Sequence, residues 1–328
     1  MATAPGRRWF QLQVDLLRTR VQPADIAIFH EFEPPPTGGG HQFMRALSRE
    51  FSARGFRLEN NRISPVTRAC LFNSFNFDYD RLKRFHRAGC RMVHRVDGPI
   101  EVYRGYTDGT DRRINDMNQA LADVTIFQSH YSVQKHLELG MSFNAPQVIY
   151  NTPDPDIFHP VGRIGFDLTR KVRLMSTSWS NNPNKGAAVY QWLDQHLDWS
   201  RFDYTFVGRS PVTFQHIRQL PPQPSTTLAD LLRQHDIYLT ASRFDPCSNA
   251  LLEALSSGLP ALYLRSGGHA ELVGQAGFGF DHPEEIPAAL DRLVEEYDQR
   301  QQQITVLDLE TVATQYLAAL GWADGQWQ

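Results

Sequence analysis

The chain of 328 residues is long enough for one large or two medium domains, and at 41% hydrophobic content it can bury a sizeable core. Its 33 basic and 36 acidic side chains leave a net charge of −3, which provides no global drive toward nucleic acid. Three cysteines without metal-ligand spacing, Cys70, Cys90 and Cys247, fit a reducing compartment, and no apolar run approaches the roughly 20 residues of a membrane-spanning helix.

The first ten residues lack an apolar signal core, so a cytoplasmic location is expected; local patches leave peripheral contact with the inner face of a membrane open. Residues 25 to 29, Asp-Ile-Ala-Ile-Phe, read as a first buried strand. A loop rich in proline and glycine follows, then a helix expected from about Gln42 to Arg54 and ended by Gly55. Strand, glycine-rich loop and helix form a phosphate cradle, because glycines let backbone amides approach a ligand. Gly38, Gly39 and Gly40 are the candidates, against the plainer reading of a flexible loop. A strand is expected at 70 to 75, a helix at 78 to 88, and a strand from Cys90 that ends near Arg95 to Asp97. Ligands bind at that edge of open α/β sheets, which makes His94 and Asp97 candidates. A hydrogen-bonded strand-end histidine is the bland alternative for His94. Residues 111 to 122 read as a helix, 123 to 129 as a strand, 130 to 139 as a helix closed by Gly140, and 146 to 151 as a strand. Prolines 153, 155 and 160 then make a stiff connection, and the domain boundary is placed at 155.

In the second half, 172 to 178 read as a strand leading through a polar turn with Lys185-Gly186 into a helix. Residues 204 to 208 form a strand whose following turn carries Arg209. A helix at 227 to 234 and a strand at 236 to 242 lead into Asp245-Pro-Cys-Ser-Asn-Ala-Leu-Leu-Glu253. Ser248 or Asn249 can cap the helix that starts there, and Gly258 permits a left-handed exit before Pro260. Leu251, Leu252 and Leu255 share one side of this helix, and Glu253 falls opposite them. The free amides and positive dipole end of the helix suit a phosphate. A hydroxyl-binding carboxylate beside such an end is what a nucleotide with a ribose requires. A strand at 261 to 264, the segment Gly267-Gly-His-Ala-Glu271, a short strand at 278 to 280, a charged helix over 283 to 302 and an amphipathic helix at about 307 to 320 complete the chain. The alternation predicts an α/β protein with two Rossmann-like parallel-sheet domains facing one cleft: 1 to 155, 156 to 305, and a last helix over 306 to 328.

Asp245 and Glu253, separated by seven residues, together with Gly267-Gly-x-x-Glu271, Lys185-Gly186 and the linker Val148-Ile-Tyr-Asn-Thr-Pro-Asp-Pro-Asp-Ile-Phe-His-Pro160, resemble the bacterial type of family-4 retaining glycosyltransferases of the GT-B fold. Asp245 stands where the family more often has Glu, Ser180 where it has Arg, and Val96 where it has His beside the Asp matched by Asp97. The resemblance implies transfer of a sugar from a nucleotide-diphosphate sugar to a hydroxyl of a saccharide, a lipid-linked saccharide or a small molecule, with retention at the anomeric carbon. It implies that Lys185, Ser248, Asn249 and the Gly38 to Gly40 amides hold the diphosphate, that Glu253 binds the ribose, and that Glu271 supports the same pocket. Asp245, Asp97 and His94 would lie near the reacting sugar, and Arg209 or Arg243 would stand in for the absent arginine. No metal, no cofactor beyond the sugar nucleotide substrate and no nucleic-acid partner are expected; the last helix is expected to cross back onto the first domain, and the oligomeric state is left open. The competing readings are a silent GT-B domain that binds nucleotide sugars as a scaffold, and a sugar epimerase on the same fold.

Overall fold

The computed structural model describes residues 24–32, 39–75, 77–323 and 326–327. Six short strands, β1 (Ile26–Phe29), β2 (Leu58–Asn60), β3 (Ala69–Phe72), β4 (Arg91–Val96), β5 (Val124–Phe127) and β6 (Pro146–Val148), form the first sheet in the order β2-β1-β3-β4-β5-β6. Six more, β7 (Val172–Ser178), β8 (Phe202–Gly208), β9 (Arg218–Leu220), β10 (Ile237–Thr240), β11 (Ala261–Leu264) and β12 (Gly277–Phe280), form the second in the order β12-β11-β10-β7-β8-β9. Every pairing within both sheets is parallel. The two-domain α/β architecture anticipated from the alternation is therefore present. A small antiparallel pair, β13 (Trp322–Ala323) and β14 (Gln326–Trp327), follows the last helix.

Parallel sheets carry helices on both faces, so their strands are buried on both sides and read as unbroken apolar runs. Ile26-Ala-Ile-Phe29 and Ala261-Leu-Tyr-Leu264 are of this kind, with all residues buried. The edge strands β2 and β9 are three residues long and lack such runs, so no period marks them in the sequence. The charged stretch expected as one helix over 283 to 302 is two, Ile286–Glu295 and Tyr297–Gln302, after a 3-10 turn at Pro283–Glu285.

The helix Leu309–Ala319 packs Val312, Ala313, Tyr316 and Leu317 into the core that holds Phe43, Met44 and Leu47 beside β1. It thus returns to the first sheet after the chain has built the second. Thr152 Oγ1 donates to the Leu307 carbonyl at 2.6 Å, so the outgoing and returning segments are tied to each other. The second sheet is anchored at Asp236, whose buried carboxylate accepts from Arg170 and Arg173 side chains at 2.6 to 3.2 Å and from the Arg173 amide.

Candidate functional site

The C-terminal edges of the two sheets face each other across a cleft of about 610 Å³. Gly39, Gly40, Asp97, Lys185, Asp245, Ser248 and Asn249 all line it. Residues from both halves of the sequence, more than 200 positions apart, meet in one cavity.

On the C-terminal side the helix Asn249–Ser256 points its start into the cleft. Ser248 is the residue that caps it, accepting from the Leu251 amide at 3.4 Å. The earlier amides of that first turn have no carbonyl within the helix to bond, which leaves them for a ligand. Gly258 takes the left-handed exit, with φ +87°. Lys185, at the end of the 3-10 turn Pro183–Lys185, places Nζ 3.2 Å from Asp245 Oδ2 and 5.0 Å from the centre of the Tyr103 ring. Burial works against its charge, but the Asp245 carboxylate and Tyr103 together outweigh burial and hold the ammonium above its usual range. Gly267 and Gly268 lie behind this pair. A Cβ on Gly267 would come within 2.2 Å of the Asp245 carbonyl, and one on Gly268 within 2.3 Å of that of Pro246. The Gly-Gly segment therefore shapes the backbone that carries Asp245. Cys247 also lines the cleft, but burial pushes its thiol up to about 12, so it is not a nucleophile near neutral pH.

On the N-terminal side Asp97 sits just beyond β4. Its carboxylate accepts from Arg95 at 3.2 Å and from Gln128 Nε2. Arg95 is 1% exposed and also donates to Asn73 at 2.7 Å and Asn151 at 2.9 Å. Asn151 Nδ2 in turn donates to Gln128 and, across the domains, to Asn249 Oδ1 at 3.1 Å. This chain of buried polar groups fixes Asp97 and the first residue of the ligand-facing helix together. Arg95 and Asp97 were visible as strand-end residues; Asn151 and Gln128 carried no signal beyond their place at the ends of strands.

The helix Ile100–Arg104 was not anticipated. It is held by Asp111, whose carboxylate accepts from the Ile100 and Glu101 amides at 2.7 and 3.0 Å, and it brings Tyr103 and Arg104 to the cleft. Pro99 before it and Gly105 after it, with φ +78°, were the signal in the sequence. Asn182 and Asn184 of the opposite turn donate to the Tyr103 carbonyl at 3.3 and 2.8 Å and clamp the two sides together.

Other expected positions fall elsewhere. Gly39 and Gly40 belong to the first turn of the helix Gly39–Ala53 and not to a loop; Gly38 lies outside the described residues. His94 is fully buried on β4, stacked on Phe72 at 4.3 Å and bonded to Asn118 at 3.0 Å through Nδ1. Burial lowers its pKa to about 3, so it is a neutral core histidine without access to the cleft. Glu271 is not in the cleft lining either: its oxygens accept from the His130 and Tyr131 amides at 2.8 and 2.7 Å and from the Tyr150 hydroxyl at 2.9 Å. It caps the helix His130–Glu138 of the other domain. Arg209 and Arg243 are exposed and do not line the cleft.

Glu253 is on the expected face of its helix, yet it does not line the cleft: it borders a separate crevice of only about 10 Å³, lined also by Gln42, Phe43, Thr152 and Phe158. Gly39 and Asn249 are common to the two cavities and form the wall between them. Their contact is so close that a Cβ on Gly39 would lie 2.4 Å from Asn249 Cβ. Burial raises the Glu253 carboxyl to about 8.

Residues 203–296, which run from β8 to the helix Ile286–Glu295 and include the Asp245 to Glu253 segment, match the sequence family described as Glycosyl transferases group 1. No curated protein sequence matches the chain closely enough to count as a relative. Among solved structures it is similar to sucrose-phosphate synthase from Thermosynechococcus elongatus, at 13% identity and TM-score 0.68, over 89% of this chain and 97% of that one. HepE of Anabaena, solved in complex with UDP and glucose, gives 14% identity and TM-score 0.65 over 90% and 99%. The catalytic domain of Starch Synthase IV from Arabidopsis thaliana, bound to ADP and acarbose, gives 12% and 0.63 over 90% and 98%. These likenesses establish the GT-B glycosyltransferase fold for nearly the whole chain.

Proposed function

We propose that the protein transfers a sugar from a nucleotide-diphosphate sugar to an acceptor hydroxyl with retention of configuration, in the manner of the family-4 enzymes it resembles. The observation that carries this reading is the cation and helix start in one place: Lys185 Nζ beside Asp245, with the open first turn at Ser248 and Asn249, facing Asp97 across the cleft. Neighbouring folds hold UDP with glucose, or ADP with acarbose, which supports a sugar nucleotide as the donor.

In this reaction the bond from the anomeric carbon to the diphosphate oxygen breaks, and negative charge grows on the leaving group. Lys185 and the first-turn amides receive that charge, a fixed arrangement that needs no reorganisation in the transition state. Asp245, already paired with Lys185, sits where the sugar hydroxyls are held. Glu253 is assigned to the ribose by the resemblance to the family-4 signature. The acceptor oxygen bonds to the anomeric carbon on the face the diphosphate leaves, and its proton passes to the departing phosphate oxygen. No carboxylate on the opposite face is then required. No metal is invoked for any step.

A panel of nucleotide sugars tested by thermal shift identifies the donor. Chromatography then follows nucleotide release with and without acceptor: release that acceptor never accelerates would favour a binding or scaffold role. Proton NMR of the product's anomeric coupling tests retention, since a β-linked product from an α-linked donor rejects it.

A further inference from the structure

A second cavity, of about 400 Å³, opens beside the cleft and is built wholly from the N-terminal domain. Five of its ten lining residues are aromatic or aliphatic: Phe75, Phe77, Tyr79, Ile114 and Met117. Its size is within the roughly 300–1,000 Å³ of small-molecule sites, and an apolar lining with a few polar groups is typical of them. It shares Phe75 and Arg104 with the cleft, and the Arg104 guanidinium lies 5.2 Å over the Phe75 ring at the junction. The crevice beside Glu253 is separated from the cleft by Gly39 and Asn249.

We propose that this side cavity is the acceptor subsite, and that the acceptor carries an apolar aglycone which seats among Phe75, Phe77, Tyr79 and Met117. The inference rests on reading the cleft as a sugar nucleotide site. The diphosphate is directed to Lys185 and the helix start, which both lie on the C-terminal side. What opens from the N-terminal side is then left for the acceptor. A molecule whose sugar hydroxyl lies near Asp97 places its aglycone past Arg104 into the side cavity. Burying that group there is favourable in proportion to its apolar area, so the aglycone and not only the sugar sets acceptor choice. An aromatic small molecule and the alkyl end of a lipid-linked saccharide offer the same apolar chemistry at this position.

The test uses the full chain, its cognate sugar nucleotide and three acceptors that differ only in aglycone: methyl, phenyl and octyl β-D-glucoside. Wild-type kcat/KM for transfer should rise about 10-fold or more from methyl to the better of the other two, a gain typical of a hydrophobic pocket. A gain confined to phenyl assigns an aromatic acceptor, and one confined to octyl a lipid-like acceptor. Phe77→Ala should reduce the gain to about 2-fold or less. Because Phe77 also packs on Phe29 and Phe72, Asp116→Trp is the second variant. It places a bulky ring at the rim from an exposed helix position, and it should abolish the gain in the same way. Calorimetry of nucleotide binding accompanies each variant. Equal rates for the three glucosides, or a gain that survives both variants, overturns the proposal, as does a matched loss of nucleotide affinity, which would assign the cavity to the base. Failure of the wild type to bind any sugar nucleotide would instead count against the donor reading of the cleft.

Discussion

The two sides of the cleft use charge in opposite ways. On the C-terminal side Lys185 and Asp245 pair with each other beside an open helix start, so an incoming diphosphate can take over groups that are already partly free. On the N-terminal side Arg95 is held by three protein partners out of solvent, and Asp97 and Gln128 at the end of that chain reach the cleft. Both sides show a charged residue at the end of a parallel strand. Burial decides which one binds and which one positions.

The sharpest way to break this comparison is at Arg95. Arg95→Ala leaves Asp97, Asn73 and Asn151 without their shared donor, and should cost roughly 3–5 kcal/mol of stability, as for other buried pairs that lose one partner. Urea denaturation reads this directly; a loss under about 1 kcal/mol would mean that the N-terminal side does not depend on it.

Lys185→Ala acts on the other side. It should weaken binding of the sugar nucleotide by roughly 1.5–3 kcal/mol, the range for hydrogen bonds to charged groups, while leaving the fold intact. Unchanged affinity by calorimetry would remove Lys185 from the donor site.

Glu253 tests the boundary between the two cavities. Glu253→Gln should lower turnover at least tenfold, about 1.4 kcal/mol in the transition state. Its pH signature is separate. Burial raises the carboxyl to about 8 from an ordinary 4.5, so the folded protein holds a proton that the unfolded chain has released. The associated stability is fully present below pH 4.5 and is lost as pH rises through 8. The Gln variant lacks this loss. Its melting temperature should match the wild type near pH 4.5 and exceed it increasingly toward pH 8; parallel curves would show that the carboxyl is not held neutral.

The smallest effect is expected at Glu271. Glu271→Gln keeps one acceptor but loses the charge that faces the His130 and Tyr131 amides, and should cost about 0.5–1.5 kcal/mol with normal turnover of the folded protein. A selective loss of donor affinity would instead return Glu271 to the binding site.

The sequence by itself determined the features that depend on near neighbours. The alternation of apolar runs and amphipathic segments defined two parallel-sheet domains. The Ser248 cap, the Gly258 exit and the side of the helix on which Glu253 lies follow from residues within a few positions of each other. The spacing of Asp245, Glu253 and Lys185-Gly186 with their neighbours carried the resemblance to a donor site, and Lys185 and Asp245 do meet. Tertiary structure decided the rest, because burial and apposition depend on contacts across long stretches of chain. His94 and Asp97 lie three residues apart, yet the packing of Phe72 and Asn118 takes one into the core, and Arg95 with Gln128 holds the other at the cleft. Glu271 left the expected pocket because the other domain brings two unpaired helix amides to it. Tyr103 and Arg104 entered the cleft because Asp111, from the next helix, caps a helix too short for any periodic signal. Local sequence sets which way a side chain leaves its own element; only the packing of distant elements sets whether it meets solvent, core or a ligand.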